Sequence, residues 1–341
     1  MSGSEQQPLW GSVDDVKASA VSWEVHRQDA FSAVQNLKTH AVDLIVTSPP
    51  YWGQRTYKGS HNWGILDDWI RAGGSSSEPP EYAWYVEHGG QLGMEPTPDW
   101  FVAHLVEFFS LARRVLKPTG SIWVNLGDTY FARWSSIRDR GRQGLGDHPR
   151  QRRRVPMGGY RQEKQLLLVP SRFAIAMQNE RWILRNDMIW HKPNVPPRPE
   201  RDRLKLSHEH FFHFVHRPKV GRARYFYDQS QTEARGNDVV LVNARPGQDG
   251  HSATFPAELV TPRILSSSPA GGTVLDPFCG TGRSLAIALA NGRNAIGFEI
   301  SREFATVAER QLKEVSTTWI PRRGATSSVS GSVIGSIPRS P

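Results

Sequence analysis

The chain has 341 residues, of which 38% are apolar, and this is enough for a sizeable hydrophobic core. A single cysteine excludes an intrachain disulfide framework and any zinc site built from several cysteines. No apolar run is long enough to cross a bilayer and no signal-peptide pattern opens the chain, so we expect a cytoplasmic protein. The formal net charge of +9 favours a polyanionic partner.

The N-terminal part of the sequence alternates strand and helix patterns. Residues 1–20 are polar and aperiodic, which is typical of a flexible tail. A short strand over 24–29 precedes a helix over 30–37, and the next strand, over 42–46, is largely apolar. Residues 53–98 are rich in Gly, Ser, Pro and aromatic residues, which indicates an irregular insert.

A strongly basic segment follows the next helix and strand. Asp99 is placed to cap a helix over 99–116, and residues 121–126 form another apolar strand. Residues 129–165 show little sign of a packed core, and between 133 and 164 they carry ten Arg or Lys residues and three acidic residues. A solvated loop and a phosphate-contacting arm both explain such a run.

Strands and helices alternate again in the C-terminal half. The alternation predicts a mostly parallel sheet with helices on both faces, in one domain over 21–316. Residues 192–250 contain a Pro-rich basic loop and a polar irregular segment, and the composition of 317–341 is typical of a disordered tail. The predicted helices cover 172–180, 255–265, 284–290 and 303–315, and the predicted strands cover 182–190, 210–215, 273–276 and 294–298.

Two motifs each follow a predicted strand. Thr47-Ser48-Pro49-Pro50-Tyr51 follows the strand over 42–46, and Asp276-Pro277-Phe278-Cys279-Gly280-Thr281-Gly282 follows the strand over 273–276. The second is a Gly-x-Gly turn before a helix, where backbone N–H groups can meet a ligand. A dinucleotide fingerprint or a P-loop would need other residues at Leu285, Pro277 and Arg283. Glu299, after the next strand, is placed to accept hydrogen bonds from two ribose hydroxyls.

Together the two motifs resemble those of the DNA methyltransferases that methylate exocyclic amino groups of bases. The catalytic motif precedes the cofactor motif, as in the permuted β class of that family. The resemblance covers about residues 24–315 and also includes the segments 90–98, 116–120, 125–128 and 189–193. It implies a Rossmann-like α/β methyltransferase fold with circularly permuted motif order, and S-adenosyl-L-methionine as the cofactor.

The resemblance also assigns roles to residues. Ser48 and the Pro49 carbonyl would accept hydrogen bonds from the target amine, Pro50 would hold the turn rigid, and Tyr51 would stack on the base. Asp29 would contact adenine, Glu299 the ribose, and Asp276 with the glycine loop the methionine end, which Phe255 and Pro256 would wrap. The cofactor-binding set is Asp29, Ala30, Thr47, Phe255, Pro256, Asp276, Pro277, Phe278, Gly280, Gly282, Glu299 and Ile300.

Three segments are expected to supply target recognition: 53–98, 129–165 and 192–250. Beside a base-modifying site, a phosphate-contacting arm becomes the better interpretation of the basic run. Trp190 and Lys192 could line the base pocket or be a core tryptophan beside a surface lysine, and the Pro-rich basic loop could contact phosphates or merely be solvated. The candidate DNA-binding residues are Arg150, Arg152, Arg153, Arg154, Trp190, Lys192 and Arg198.

The expected reaction is methylation of N4 of a flipped-out cytosine in double-stranded DNA, because a serine-first turn goes mostly with cytosine in this family. Adenine N6 is the alternative; RNA or protein-amide methylation and a non-catalytic DNA-binding protein are less favoured. Cytosine C5 chemistry needs a cysteine nucleophile, and Cys279 lies in the cofactor loop. The spacing of His208, His210, His213 and His216 does not match a zinc helix, so no metal is expected. A restriction endonuclease partner, a monomer or homodimer, and a bacterial or phage source complete the expectations.

Overall fold

The structure is a computed structural model that describes residues 21–53, 61–131, 134–137, 151–154, 156–195, 201–232, 236–244 and 255–318. Helices and strands alternate along these ranges. The strands are β1 (Trp23–His26), β2 (Val42–Thr47), β3 (Leu116–Leu126), β4 (Trp134–Ile137), β5 (Gln151–Arg154), β6 (Trp182–His191), β7 (His208–His216), β8 (Val239–Leu241), β9 (Thr273–Asp276) and β10 (Asn294–Phe298). The helices are α1 (Ala30–Asn36), α2 (Ile65–Arg71), α3 (Tyr82–Glu87), α4 (Pro98–Ala112), α5 (Val169–Asn179), α6 (Ala257–Ser267), α7 (Arg283–Ala290) and α8 (Arg302–Thr318).

Eight strands form one sheet in the order β1-β10-β9-β2-β3-β7-β6-β8. The pairs are parallel except that β7 runs antiparallel to both of its neighbours, β3 and β6. Every residue of β2 is buried, as expected for a central strand covered on both faces. This mostly parallel sheet with helices agrees with the predicted Rossmann-like methyltransferase fold, with the catalytic motif ahead of the cofactor motif.

The sheet separates two hydrophobic cores, because successive residues of a strand point to opposite faces. Ile122 and Val124 of β3 join the core that contains α4 and α5, whereas Trp123 joins the core that contains α6, α7 and part of α8. None of the helices in the described ranges is long and apolar enough to cross a membrane.

β9 and β2 lie side by side in the middle of the sheet, and the chain leaves them in opposite directions. From β9 the chain continues through α7 to β10 on one side, and from β2 it continues to β3 on the other. Such a reversal opens a crevice at the carboxyl ends of the two strands, where ligands bind in open α/β sheets. Both sequence motifs begin at these carboxyl ends.

The prediction that residues 53–98 form an irregular insert is wrong for the part that the structure describes. The segment contains α2 and α3, and Tyr82 and Tyr85 are at most 5% exposed. Both tyrosine rings pack near His104 of α4, with centroid distances of 5.4 and 4.7 Å. Helices of six or seven residues are not stable alone, so only this packing makes them helical.

Other boundaries differ by a few residues. Thr97, not Asp99, is the N-cap of α4, with its hydroxyl accepting from Trp100 N at 3.3 Å, and the segment from Leu116 already belongs to β3. Residues 134–137 and 151–154 form an antiparallel hairpin inside the basic segment, where the sequence showed little sign of a packed core. The polar segment from 228 contains β8 at the edge of the sheet, and α8 continues through Thr318, past the predicted start of the C-terminal tail. Residues 1–20 and 319–341 lie outside the described residues.

Candidate active site

The two motifs are joined by a hydrogen bond between buried side chains. The Thr47 hydroxyl, at the end of β2, donates to Asp276 Oδ1, at the end of β9, at 2.6 Å. The same oxygen accepts from Phe278 N at 3.1 Å, and Oδ2 accepts from the Ser284 hydroxyl of α7. Burial raises the pKa of Asp276 to about 6. Asp276 therefore holds the catalytic and cofactor loops together, and its carboxylate is already engaged within the protein.

A cavity of about 850 Å³ opens beside the two loops, a size typical of small-molecule sites. Residues from five separate parts of the chain line it. They are Gln28, Asp29, Ala30, Ser48, Pro50, Tyr82, Val86, Gly90, Gln91, Leu92, Pro277, Phe278, Gly280, Phe298, Glu299, Ile300, Ser301, Arg302, Glu303, Thr306 and Val307.

Glu299 is the buried acid of this cavity. Its Oε2 accepts from Gly280 N at 2.9 Å, and its Oε1 accepts from Ser301 N at 2.7 Å. Burial raises its pKa to about 7, against the opposing effect of these backbone donors. Each carboxylate oxygen keeps a second lone pair, so the group can still accept from two hydroxyls of a ligand. This is the chemistry that a ribose requires.

The far side of the cavity is formed by Asp29 and α3. Asp29 caps α1 through hydrogen bonds from Phe31 N and Ser32 N. It lies outside β1, although the predicted strand over 24–29 included it. Its Oδ2 accepts from the Tyr82 hydroxyl at 3.1 Å, while the Tyr82 ring stacks on Phe31 at 3.5 Å between centroids. Burial raises the pKa of Asp29 above its ordinary value. The predicted adenine contact thus lies at the cavity wall.

The predicted catalytic motif borders the same cavity. Ser48 and Pro50 line it, and Pro49 is buried. The two residues that follow the motif are hydrogen-bonded to the segment before α4. Trp52 Nε1 donates to Glu95 O at 2.9 Å, and Gly53 N donates to Gly93 O at 2.7 Å. Glu95 is itself fully buried and paired with His104. These contacts hold the turn in one conformation.

Tyr51 is not among the residues that line the cavity, and its hydroxyl lies in a polar cluster. Its hydroxyl is 3.0 Å from Asn125 Oδ1 and 2.8 Å from Glu209 Oε2, and the Ser48 hydroxyl donates to it at 3.4 Å. Glu209 also pairs with Lys192. Ser48 therefore lies between the cavity on one side and this cluster on the other.

Several predicted residues lie elsewhere. Phe255 and Pro256 do not line the cavity; Phe255 stacks on Phe211 at 5.7 Å, and Pro256 is the N-cap of α6. Gly282 does not line it either and starts α7 with φ of +81°. Trp190 is 5% exposed and donates to Val242 O, so it is a core residue beside the ion-paired Lys192.

The predicted arginines are only partly described. Arg150 and Arg198 lie outside the described residues, and the backbone of Arg152, Arg153 and Arg154 forms β5. In the described part of the chain, no group of three or more His, Cys, Asp or Glu residues is arranged to hold a metal ion.

Other residues reach the site from elements whose part in it was not predicted. Tyr82 lines the cavity from the segment that was interpreted as an irregular insert. Glu209 belongs to β7 but precedes the strand predicted over 210–215. Leu92 and Asn125 lie in the segments 90–98 and 125–128 that resemble the family, and this was the available signal for them.

The cavity fits the cofactor that the sequence resemblance implies. S-adenosylmethionine needs acceptors for its ribose hydroxyls, an apolar surface for adenine and a backbone that can approach closely. Glu299 offers the acceptors, Leu92 and Ile300 offer apolar surface, and Gly280 leaves the loop without a side chain.

Comparison with known proteins agrees with this geometry. The sequence profile of a family described as DNA methylase, which groups N6 and N4 methyltransferases, matches residues 42–310. The Type II methyltransferase M.SmaI of Serratia marcescens is 32% identical over 294 residues, covering 83% of this chain and 88% of the relative. M.Cfr9I of Citrobacter freundii is 33% identical over 300 residues, covering 86% and 88%.

Solved structures share the fold. The cytosine-N4-specific PvuII DNA methyltransferase superposes with a TM-score of 0.58 at 17% identity, over 88% of this chain and 93% of the other. A putative DNA modification methylase of Thermus thermophilus, complexed with S-adenosyl-L-methionine, gives 0.53 at 20% identity, over 88% and 98%. The chain therefore belongs to the DNA methylase family of N6 and N4 methyltransferases, which use S-adenosylmethionine as the methyl donor.

Proposed function

We propose that this chain methylates the N4 amino group of a flipped-out cytosine at one short sequence in double-stranded DNA. The observation that carries the proposal is the position of Ser48. Ser48 follows the carboxyl end of β2 and lines the same cavity as Glu299 and Gly280.

The chemistry follows from the weakness of the nucleophile. The lone pair of an exocyclic amine is delocalised into the ring, so the amine must be held by acceptors that let the nitrogen become pyramidal. Ser48 and the backbone carbonyl of Pro49 are the proposed acceptors, and the flanking prolines restrict the turn. Bound S-adenosylmethionine supplies a methyl group on a positively charged sulfur. The amine nitrogen would bond to the methyl carbon as the carbon–sulfur bond breaks, S-adenosylhomocysteine would leave, and the excess proton on the methylated nitrogen would pass to water, without a covalent enzyme intermediate.

The serine favours cytosine over adenine. A neutral hydroxyl is a weaker acceptor than the carboxylate of an aspartate-first motif, and we expect the cytosine amine to need less assistance. The fold shared with the cytosine-N4-specific PvuII enzyme is compatible with this choice but does not decide it at 17% identity.

The substrate is proposed to be duplex DNA. The net charge of +9 suits a polyanion, and flipping a base out of the duplex costs roughly a few kcal/mol, which phosphate contacts and stacking can offset. The relatives named Type II methyltransferases suggest that the chain protects a recognition sequence from a cognate restriction endonuclease.

Base-resolved methylation mapping of DNA from cells that express the chain tests the proposal. We expect N4-methylcytosine at a single short motif, complete loss of the mark with Ser48→Ala, and full methylation with the matched control Ser316→Ala in α8. N6-methyladenine would overturn the choice of base while keeping the mechanism. Absence of any modified base with the wild-type chain would contradict DNA methylation altogether.

A further inference from the structure

We propose that the ion pair between Lys192 and Glu209 is a positioning element of the active site, which orients the Tyr51 hydroxyl and through it the hydroxyl of Ser48. The inference rests on the proposed role of Ser48 as an acceptor. It assigns Lys192 to the catalytic loop and not to a DNA phosphate.

The pair is built by the register of the sheet. Glu209 is the second residue of β7 and lies opposite Trp190 of β6, and Lys192 follows directly after β6. The two side chains are each 15% exposed, and the Lys192 ammonium also lies 4.2 Å from the centre of the Trp190 ring. Lys192 is thus enclosed by a carboxylate and an aromatic ring.

The carboxylate determines the direction of a chain of hydrogen bonds. An ionised Glu209 can only accept, so the Tyr51 hydroxyl must donate its single proton toward Glu209 at 2.8 Å or Asn125 Oδ1 at 3.0 Å. The Tyr51 oxygen is then an acceptor for the Ser48 hydroxyl at 3.4 Å. Ser48 consequently directs its proton away from the cavity and keeps its lone pairs for the target amine.

Gly127 lies against both Tyr51 and Glu209, and its lack of a side chain leaves space for them. A Cβ added to Gly127 would come within 2.8 Å of Tyr51 Cε2 and 3.3 Å of Glu209 Cγ. The ring and the carboxylate therefore both rest on bare backbone, which restricts their positions further.

Stability alone is a poor explanation for the pair. The free-energy cost of removing two charges from water offsets most of their attraction, so such pairs contribute little net stability. Removal of one partner, in contrast, leaves a buried charge without compensation. If the Ser48 hydroxyl is to accept a hydrogen bond from the target amine, its own proton must be held in another direction, and the pair provides this by orienting Tyr51.

The experiment measures methyl transfer in a single turnover at saturating S-adenosylmethionine, together with DNA affinity over a range of salt. We expect Lys192→Met, Glu209→Gln and Tyr51→Phe each to slow transfer by about 10- to 100-fold, because small misplacements at a reacting centre have effects of this size. DNA affinity should stay within about twofold and its salt dependence should not change. Lys192→Arg should recover part of the rate. The control is Glu309→Gln, which removes a carboxylate paired with Arg27 at 2.6 Å and should keep full activity.

A double-mutant cycle separates positioning from independent effects. Once Tyr51→Phe has removed the hydroxyl, Glu209→Gln should slow the reaction no further. Thermal melting shows whether each single variant is folded. If one is not, the double variant Lys192→Met/Glu209→Gln replaces it in the cycle, because this variant leaves no unpaired charge.

Multiplicative effects of Tyr51→Phe and Glu209→Gln would overturn the inference. So would a Lys192→Met variant with normal transfer and a salt slope lowered by about one, which is the signature of a lost phosphate contact. The proposed function fails separately, if the wild-type chain methylates no DNA in the same assay.

Discussion

Glu299 shows how burial at a single residue tunes ligand binding. The residue is 8% exposed, and its carboxyl group accepts two backbone hydrogen bonds. Burial raises the pKa of this group to about 7. A protonated carboxyl group has to lose its proton before both of its oxygens can accept hydrogen bonds from the ribose hydroxyls. The affinity for the cofactor should therefore depend on pH near neutrality.

We predict that S-adenosylmethionine binds more weakly as the pH falls through 7, by up to about tenfold per pH unit for one proton released on binding. The dependence should be absent above the pKa, where the carboxyl group is already ionised. Titration calorimetry between pH 5.5 and 8.5 measures it. Glu299→Gln is the control and should bind more weakly with a flat profile, and equal pH slopes for the two proteins would refute the role of Glu299.

The same burial affects the stability of the chain without cofactor. Asp276 and Glu299 both hold their protons to higher pH in the folded protein than in the unfolded chain. Between about pH 4 and their raised pKa values the folded state binds more protons, so stability falls as the pH rises, by up to about 3 kcal/mol for each group. At neutral pH the two buried acids therefore make the cofactor-free protein less stable than it is in mild acid.

We predict that Asp276→Asn reduces this loss of stability between pH 4.5 and 7. The amide cannot ionise and keeps the shape of the side chain, and it can still accept the Thr47 hydrogen bond. Urea unfolding at several pH values gives the free energy of unfolding of both proteins. An identical pH dependence for wild type and variant would show that Asp276 does not titrate in this range.

At the scale of elements, Gly282 sets the angle at which α7 leaves the cofactor loop. Its φ is +81°, and a Cβ at this position would lie 2.8 Å from Ala308 Cβ of α8. Both the backbone conformation and the close packing of α8 therefore require glycine.

We predict that Gly282→Ala lowers the free energy of unfolding by about 1–3 kcal/mol more than Gly292→Ala, which is the typical cost of overpacking. Gly292 is a matched control, because its φ of +74° carries the same backbone strain with nothing within 4 Å of the added Cβ. Urea denaturation of the three proteins measures the difference. Equal destabilisation by the two substitutions would mean that α8 moves aside without cost.

The β4–β5 hairpin is the second element with a testable role. Its strand β5 carries Arg152, Arg153 and Arg154 within the most basic segment of the chain. If these side chains neutralise DNA phosphates, about 0.9 counterions are released for each phosphate contact.

We predict that replacement of all three arginines by alanine lowers the slope of log affinity against log salt by up to about 3. Replacement of Lys38, Arg310 and Lys313, which removes the same charge outside the predicted recognition segments, should leave the slope nearly unchanged. Fluorescence anisotropy with duplex DNA measures both. An unchanged slope for the arginine variant would return β5 to the interpretation of a solvated hairpin.

At the scale of the whole molecule, the cavity brings together segments near residues 29, 48, 90, 278 and 300. No one of these segments forms a site alone, because the cavity exists only when β1, β2, β9 and β10 are paired in the sheet. Cofactor binding should consequently stabilise the entire domain.

We predict that S-adenosylmethionine raises the free energy of unfolding by about 2.7 kcal/mol at a concentration of about 100 times its Kd. Thermal melting at increasing cofactor concentrations tests this. Free methionine, which lacks the adenosine that Glu299 and Asp29 are proposed to contact, should produce no shift. A domain whose melting temperature does not respond to a saturating cofactor would contradict the location of the site.

The sequence by itself determined the family, the alternation of strands and helices, and the two motifs at strand ends. These features are local: apolar periodicity marks a strand, and glycine or proline marks the turn after it. The strand over 294–298 is confirmed to the residue, and β2 ends one residue beyond its prediction. Ser48, Gly280 and Glu299 were found from such signals and do line one cavity.

Only the tertiary structure decided which distant residues share the site. Tyr82 reaches Asp29 because α3 packs near α4, and its short helix has no stability that the sequence could reveal. Glu209 reaches Tyr51 because β7 runs antiparallel between β3 and β6. Strand order and direction depend on contacts between residues far apart in the chain, and these contacts form only when the whole sheet assembles.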